Sequence, residues 1–200
     1  MKIYDISQEV FDCAVYPGDP VPKKEMLCSM ANGDLYNLTA FSMCAHNGTH
    51  IDAPFHFLEE GKTVENIALE RMIGSAFIAL HEGELLAADA EDILKKASVL
   101  GSEAMKRILI KGCATITLSA AEIFAKAGIF LLGVETQSVG PENAPMAVHL
   151  ALLSKGVVLL EGLRLSDVTE GAYFLCAAPL ALKGADGSPC RAILISFEHS

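Results

Sequence analysis

His46, His50, Asp52 and His56 lie within eleven residues, in the run His46-Asn47-Gly48-Thr49-His50-Ile51-Asp52-Ala53-Pro54-Phe55-His56-Phe57. The run holds three of the chain's six histidines together with a carboxylate. Imidazole and carboxylate are the ligands of a borderline divalent ion such as Zn²⁺ or Mn²⁺. His46, His50 and Asp52 suffice for one ion, which leaves His56 free to move a proton. The offsets constrain the backbone. His46 and His50 have the i, i+4 spacing of a helical zinc pair, but Gly48, β-branched Thr49 and Ile51, and Pro54 disfavour a helix. A straight strand would put their Cα atoms about 13 Å apart at roughly 3.3 Å per residue, too far for donors that bind one ion at about 2 Å. The spacing therefore predicts a sharp bend near Gly48, where a missing Cβ permits unusual torsions. Extended chain should then run through Asp52 to Pro54.

The surrounding elements must deliver this segment. Residues 2–7 alternate as a short strand does, and Tyr16-Pro17-Gly18-Asp19-Pro20 reads as a rigid loop. Residues 37–45 read as a strand leading into His46, with apolar residues on both sides and hence burial on both faces. Val64 to Met72 reads as a short helix, Ala76 to Leu80 as a strand, and Ala87 to Ala97 as an amphipathic helix. Arg107 to Lys111 is a strand, Ser119-Ala120-Ala121-Glu122 a capping box opening a helix that Gly128 ends, and Ile129 to Val134 a buried strand. A further helix starts at Asn143-Ala144-Pro145, carries His149 and runs to Gly156. The run Gly156 to Gly162 is a buried strand closing on Glu161, whose ionised carboxylate needs a partner such as a metal. Cys44 and His81 read as bystanders. Strand–helix–strand order mixed with strands that follow one another directly predicts an α/β fold. The expectation is a single layered domain over residues 1–200, with a mixed or barrel-like β core flanked by helices.

About half of the residues are hydrophobic (52%) and 20% are charged, the composition of a globular chain that buries one substantial core. A formal net charge of −10 argues against a nucleic-acid backbone or an anionic membrane surface as partner. The six cysteines form no C-x-x-C pair and read as buried, reduced thiols. No apolar run approaches the roughly 18 residues of a membrane span, and the N-terminus lacks a signal-peptide core. A cytoplasmic protein is expected.

The pattern His46-x-Gly48-Thr49-His50-x-Asp52-x-Pro54-x-His56-Phe57 resembles the signature of the metal-dependent cyclase-like hydrolases, which include bacterial kynurenine formamidase and isatin hydrolase. The resemblance extends to His149, to Leu160-Glu161-Gly162-Leu163, to Ala178-Pro179-Leu180 and to the closing segment Arg191-Ala192-Ile193-Leu194. It implies a swivelling β/β/α type of fold. It also implies that His46, His50 and Asp52 bind metal, that His56 shuttles the proton, and that His149 and Glu161 serve a second ion bridged by Asp52. The loop at Tyr16 resembles the family's substrate loop, with Tyr16 as an aromatic wall. A homodimer or homotetramer is implied as well. Glu135 departs from the pattern, standing where aspartate is frequent and adding one methylene beside the ligands.

These residues point to a divalent metal, Zn or Mn, at one or two ions per chain. The leading reading is hydrolysis of an amide C–N bond in a small, aromatic substrate, as in an arylformamidase. Hydrolysis of a cyclic amide uses the same groups. A metal-stabilised binding protein without turnover, with His56 as a fourth ligand, is the reading from a different class.

Overall fold

The computed structural model describes residues 1–197. The first strands are β1 (Lys2–Asp5), β2 (Lys23–Cys28), β3 (Leu38–Ser42), β4 (His50–Asp52) and β5 (Ile73–Leu80). Next come β6 (Gly83–Leu85), helix α1 (Ala87–Val99), β7 (Arg107–Lys111), β8 (Ala114–Ile116), α2 (Leu118–Ala127) and β9 (Leu131–Val134). Helix α3 (Met146–Leu153) leads to β10 (Val158–Glu161), β11 (Gly171–Cys176), β12 (Gly187–Pro189) and β13 (Ile193–Ser196). Nine of these strands form one sheet in the order β1-β13-β11-β5-β7-β9-β10-β4-β12. Its centre, β5 through β10, is parallel, and both flanks are antiparallel. This is the mixed α/β architecture that the sequence predicts.

Connectivity forces the sheet to curl. Residues 190–192 alone link β12, at one edge, to β13, which lies seven places away. In a flat sheet that gap would be roughly 33 Å at about 4.8 Å per strand, whereas the linker spans at most about 14 Å. The sheet therefore closes towards a half-barrel. Backbone hydrogen bonds from Ile6 to Ala192 (3.0 Å), Arg164 to Ile6 (2.9 Å) and Cys190 to Thr49 (3.0 Å) stitch the approaching ends.

Alternation along each strand then makes two cores. Phe77, Ile108, Ile110, Leu132 and Leu159 face the helices, where they meet Phe124 and Leu152. Ile51, Ile78, Leu109, Leu131 and Leu160 fill the concave side. Because residues two apart share a face, His50 and Asp52 on β4 point to the side opposite Ile51, and Glu161 joins Leu159 on that side. The metal-type residues are thus on the helix-facing surface by pleat alone.

Several local expectations change. Strand β3 is not buried on both faces: it pairs only with β2, in a separate hairpin, and leaves Leu38 and Phe41 exposed. Residues 64–72 form two 3₁₀ turns, Val64–Asn66 and Leu69–Arg71, rather than a helix, and extended residues lie between them. Helix α2 is capped two residues earlier than Ser119, by Thr117, whose hydroxyl oxygen accepts from the Ala120 N–H at 3.3 Å. The six cysteines are unpaired, as expected, but none is fully buried; Cys113 is exposed.

Candidate metal centre and active site

The bend that the histidine spacing requires is present. Gly48 sits at φ +66°, in the left-handed region that favours glycine. The Asn47 side chain closes the turn before it, its Oδ1 accepting from the Cys44 N–H at 2.7 Å. After it, Thr49 donates its hydroxyl to the Gly162 carbonyl at 2.7 Å. A Cβ on Gly162 would lie 2.2 Å from the Gly48 carbonyl oxygen, so the two glycines let the bend dock against the end of β10. Strand β4 then pairs with β10 on one side and β12 on the other, placing His50 opposite both Glu161 and Pro189, and Asp52 opposite Gly187. A Cβ on Gly187 would meet His46 Cε1 at 2.7 Å, so its absence makes room for that ring.

Three imidazoles surround two buried carboxylates. Nδ1 of His46 lies 2.7 Å from Asp52 Oδ1. Nε2 of His50 lies 3.4 Å from the same oxygen and 3.3 Å from Glu161 Oε2. Nε2 of His149, from α3, lies 3.6 Å from Asp52 Oδ2 and 3.4 Å from Glu161 Oε1. The second nitrogen of each ring is anchored elsewhere. His50 Nδ1–H donates to the Gly48 carbonyl (3.0 Å), His149 Nδ1–H to the Pro145 carbonyl (2.8 Å), and His46 Nε2–H to Asp186 Oδ2 (2.8 Å). A neutral ring anchored in this way turns a lone pair towards the carboxylates, an arrangement that is repulsive unless a proton or a cation lies between.

In the metal-free chain, protons fill that role. Burial disfavours the imidazolium of His50, but the adjacent carboxylates of Asp52 and Glu161 outweigh it and raise its pKa to about 10. Burial opposes protonation of His46 too, and the hydrogen bond to Asp52 lifts it to about 8. His149 is raised against burial by Glu161. Asp52 is held well below the ordinary carboxylate range, with the two histidines overcoming its desolvation.

The residues fit a divalent cation. His46, His50 and Asp52 form one cluster of potential ligands, and Asp52, His149 and Glu161 form another. His50 Nε2 and Asp52 Oδ2 are buried without a hydrogen-bond partner. Anchoring of the distal ring nitrogen is the usual outer support of metal-binding histidines.

His56 stands beside the clusters on the 3₁₀ turn Pro54–His56, its Nδ1 3.1 Å from Asp186 Oδ2 and its ring stacked on His46 at 4.0 Å. Burial lowers its pKa, the reverse of its neighbours. Phe57 stacks on His149 at 4.5 Å. A cavity of about 370 Å³ opens over the centre, lined by His46, His56, Phe57, His149, Asp186 and Tyr16 among others. Tyr16 is tied at the rim by its hydroxyl, which donates to the Glu142 carbonyl at 2.6 Å.

All six residues expected at the centre come together, and Tyr16 reaches the same cavity. The hydrogen bonds of the Glu135 carboxylate go elsewhere. This longer side chain accepts from the Gly112 and Leu165 N–H groups, each at 2.7 Å, and joins neighbouring segments. Cys44 lines the cavity but joins no candidate ligand cluster among the described residues. The residue that sequence reasoning missed is Asp186, distant in the chain from both of its histidine partners. The only local signal was a carboxylate next to a glycine, which is too common to single out.

Fold and donor set together define a metal-centred α/β protein whose buried site opens on a cavity. Residues 4–141 match the family model described as "Putative cyclase", and the chain belongs to that family. It is 34% identical over 204 residues to a kynurenine formamidase of Bacillus cytotoxicus, with 95% of each chain covered. A solved protein described as a potential metal-dependent hydrolase with cyclase activity is 28% identical, with 99% of both chains covered and a TM-score of 0.81. Isatin hydrolase A from Labrenzia aggregata shares the fold at 20% identity and a TM-score of 0.81, over 98% of this chain and 94% of its own.

Cation binding should release protons. At pH 7 the metal-free chain holds His46 (about 8) and His50 (about 10) protonated, and ligation must displace those protons. Loading metal into weakly buffered apoprotein at pH 7 should release on the order of two protons per chain, with a further share from His149. Apparent affinity should tighten as pH rises towards about 10, the value at which His50 loses its proton. A pH-stat titration with no proton release would show that the imidazoles are not ligands.

Proposed function

We propose that this chain is a metal-dependent amidohydrolase that cleaves the C–N bond of a small N-formyl aryl amide. The observation that carries the reading is His56, which lines the same cavity as the buried clusters yet stays outside their ring of carboxylates. The likeness to kynurenine formamidase supports the substrate class. His46, His50 and Asp52 would hold one ion, and Asp52, His149 and Glu161 would supply the ligands of a second. Mixed nitrogen and oxygen donors suit Zn²⁺ or Mn²⁺.

A divalent cation held there supplies Lewis acidity, lowering the pKa of water towards about 7 and polarising a carbonyl oxygen. The chain's own residues do the rest. His56 takes the proton of the attacking water as the C–O bond forms, and returns it to the nitrogen as the C–N bond breaks. Its Nδ1–H is engaged by Asp186, so Nε2 is the exchanging atom. Its lowered pKa keeps it neutral, and able to accept, at pH 7. Asp52 and Glu161 balance the charge. The rings of Phe57 and Tyr16 offer aromatic walls, in a cavity of the size that small ligands take.

His56→Ala should retain metal and lose about 10²–10⁴-fold in kcat on N-formyl anilides. Metal content and kcat are measured together. Parallel loss of metal would make His56 a ligand, and unchanged kcat would assign the proton to another base. Turnover of cyclic aryl amides alone would move the substrate class to ring opening.

The same reading includes a homo-oligomer. An isolated two-stranded ribbon is marginal in water, and the β2–β3 hairpin leaves Met26, Leu27, Leu38 and Phe41 exposed. A second copy covering that surface supplies what the hairpin lacks. Light scattering should report at least a dimer at micromolar concentration; a monomer throughout that range would overturn this.

A further inference from the structure

We infer that Asp186 is a positioning residue that fixes, through a single oxygen, which nitrogen of His46 and which of His56 faces the site. The inference rests on the roles proposed above for those two histidines. Asp186 Oδ2 lies 2.8 Å from His46 Nε2 and 3.1 Å from His56 Nδ1. An ionised carboxylate oxygen only accepts, so both ring nitrogens beside it carry a proton. His46 must then present Nδ1 to Asp52, and His56 must present Nε2 away from Asp186. The two rings are stacked at 4.0 Å with 30° between their planes, so one anchor holds both.

The backbone places this carboxylate with little freedom. Ala53 N–H donates to the Asp186 carbonyl at 2.9 Å, in the short stretch between Asp52 and His56. The next residue, Gly187, pairs with Asp52 and clears the space that the His46 ring occupies. Asp186-Gly187 therefore acts as a unit, in which the carboxylate anchors the ring that the glycine admits. An amide at position 186 has the same shape but only one oxygen and no charge: turned one way it accepts weakly from both rings, and turned the other way it sets an N–H2 at the same point. In that second orientation both ring N–H groups meet a donor, and relieve the clash only by exposing their other nitrogens.

His46, His56 and Asp186 also form a potential ligand group of their own. With Nδ1 of His46 given to the ion beside Asp52, as proposed above, a further cation at that point would take Nε2 as well and make the ring an imidazolate bridge. Positioning requires no such deprotonation.

Asp186→Asn and Asp186→Glu, each alone and with His56→Ala, test this on the zinc-loaded protein. At saturating zinc, Asp186→Asn should keep the wild-type metal stoichiometry. Its zinc affinity should weaken about 10–100-fold, the usual effect of losing an outer partner of a ligand histidine. The kcat should fall by at least about 10-fold with little change in KM. Imidazole ¹⁵N shifts should show His56 protonated at Nδ1 in the wild type and a mixture of tautomers in Asp186→Asn. Asp186→Glu, which restores the charge, should recover part of the kcat. In the His56→Ala background the Asp186→Asn change should cost little further kcat, because the residue acts through an absent base. Loss of a whole metal equivalent at saturation would make Asp186 a ligand and overturn the inference. So would wild-type tautomers in Asp186→Asn, or a kcat loss that adds in full to that of His56→Ala. If His56→Ala alone leaves kcat unchanged, the proposed function fails whatever Asp186 does.

Discussion

The structure depends on the compensation of two carboxylates buried side by side. Asp52 and Glu161 are withdrawn from water at the junction of β4 and β10. Unpaired charges in such a place are very costly, and like charges this close repel. The fold answers with three imidazoles whose free nitrogens converge on those four oxygens. Protonated, the rings neutralise the pair; deprotonated, they leave a cage of lone pairs that a divalent cation completes. Folding and metal affinity are thereby linked through the same groups.

Much of the surrounding architecture keeps that cage in register. Antiparallel pairing of β12 with β4 at the sheet edge brings Asp186 and Gly187 beside residues 46–56 from the far end of the chain. Helix α3 adds His149 from the helical layer, its ring pinned to the Pro145 carbonyl one turn earlier. Glycines 48, 162 and 187 stand where a side chain would strain the bend, strike the backbone or strike the ring. His56 belongs to a different environment. It is partly buried, but both buried carboxylates are already engaged by the other rings, and the balance of burial over charge keeps it neutral. Adjacent histidines thus acquire opposite proton affinities from position alone, the separation of roles that acid–base chemistry needs.

Sequence made one half of the site legible and left the other half to resemblance. His46, His50, Asp52 and His56 are close in the chain, so ligand geometry constrained their backbone directly, and the bend at Gly48 followed from distance alone. His149 and Glu161 are ordinary residues by pattern, singled out by likeness to a family and by the cost of a carboxylate ending an apolar strand. Asp186 had neither signal, because its meaning arises from the pairing of β12 with β4, strands far apart in the chain. Strand β3 shows the converse failure. Its apolar residues implied burial, but chain pairing placed it in an outlying hairpin where Leu38 and Phe41 stay exposed. Period and composition say that a surface will be covered, not which chain covers it. Thr117 took the cap from Ser119 for a local reason: its hydroxyl also reaches the Leu85 carbonyl at 2.7 Å, tying the helix start to β6.

The central claim is that Asp52 is shared between two cation positions, completed by His46 and His50 on one side and by His149 and Glu161 on the other. Anomalous diffraction from metal-loaded crystals, with elemental analysis of the same sample, tests it most directly. The account predicts about two ions per chain, roughly 3.5–4 Å apart, both in contact with Asp52. A single ion at saturation, with Glu161 remote from it, would contradict the account.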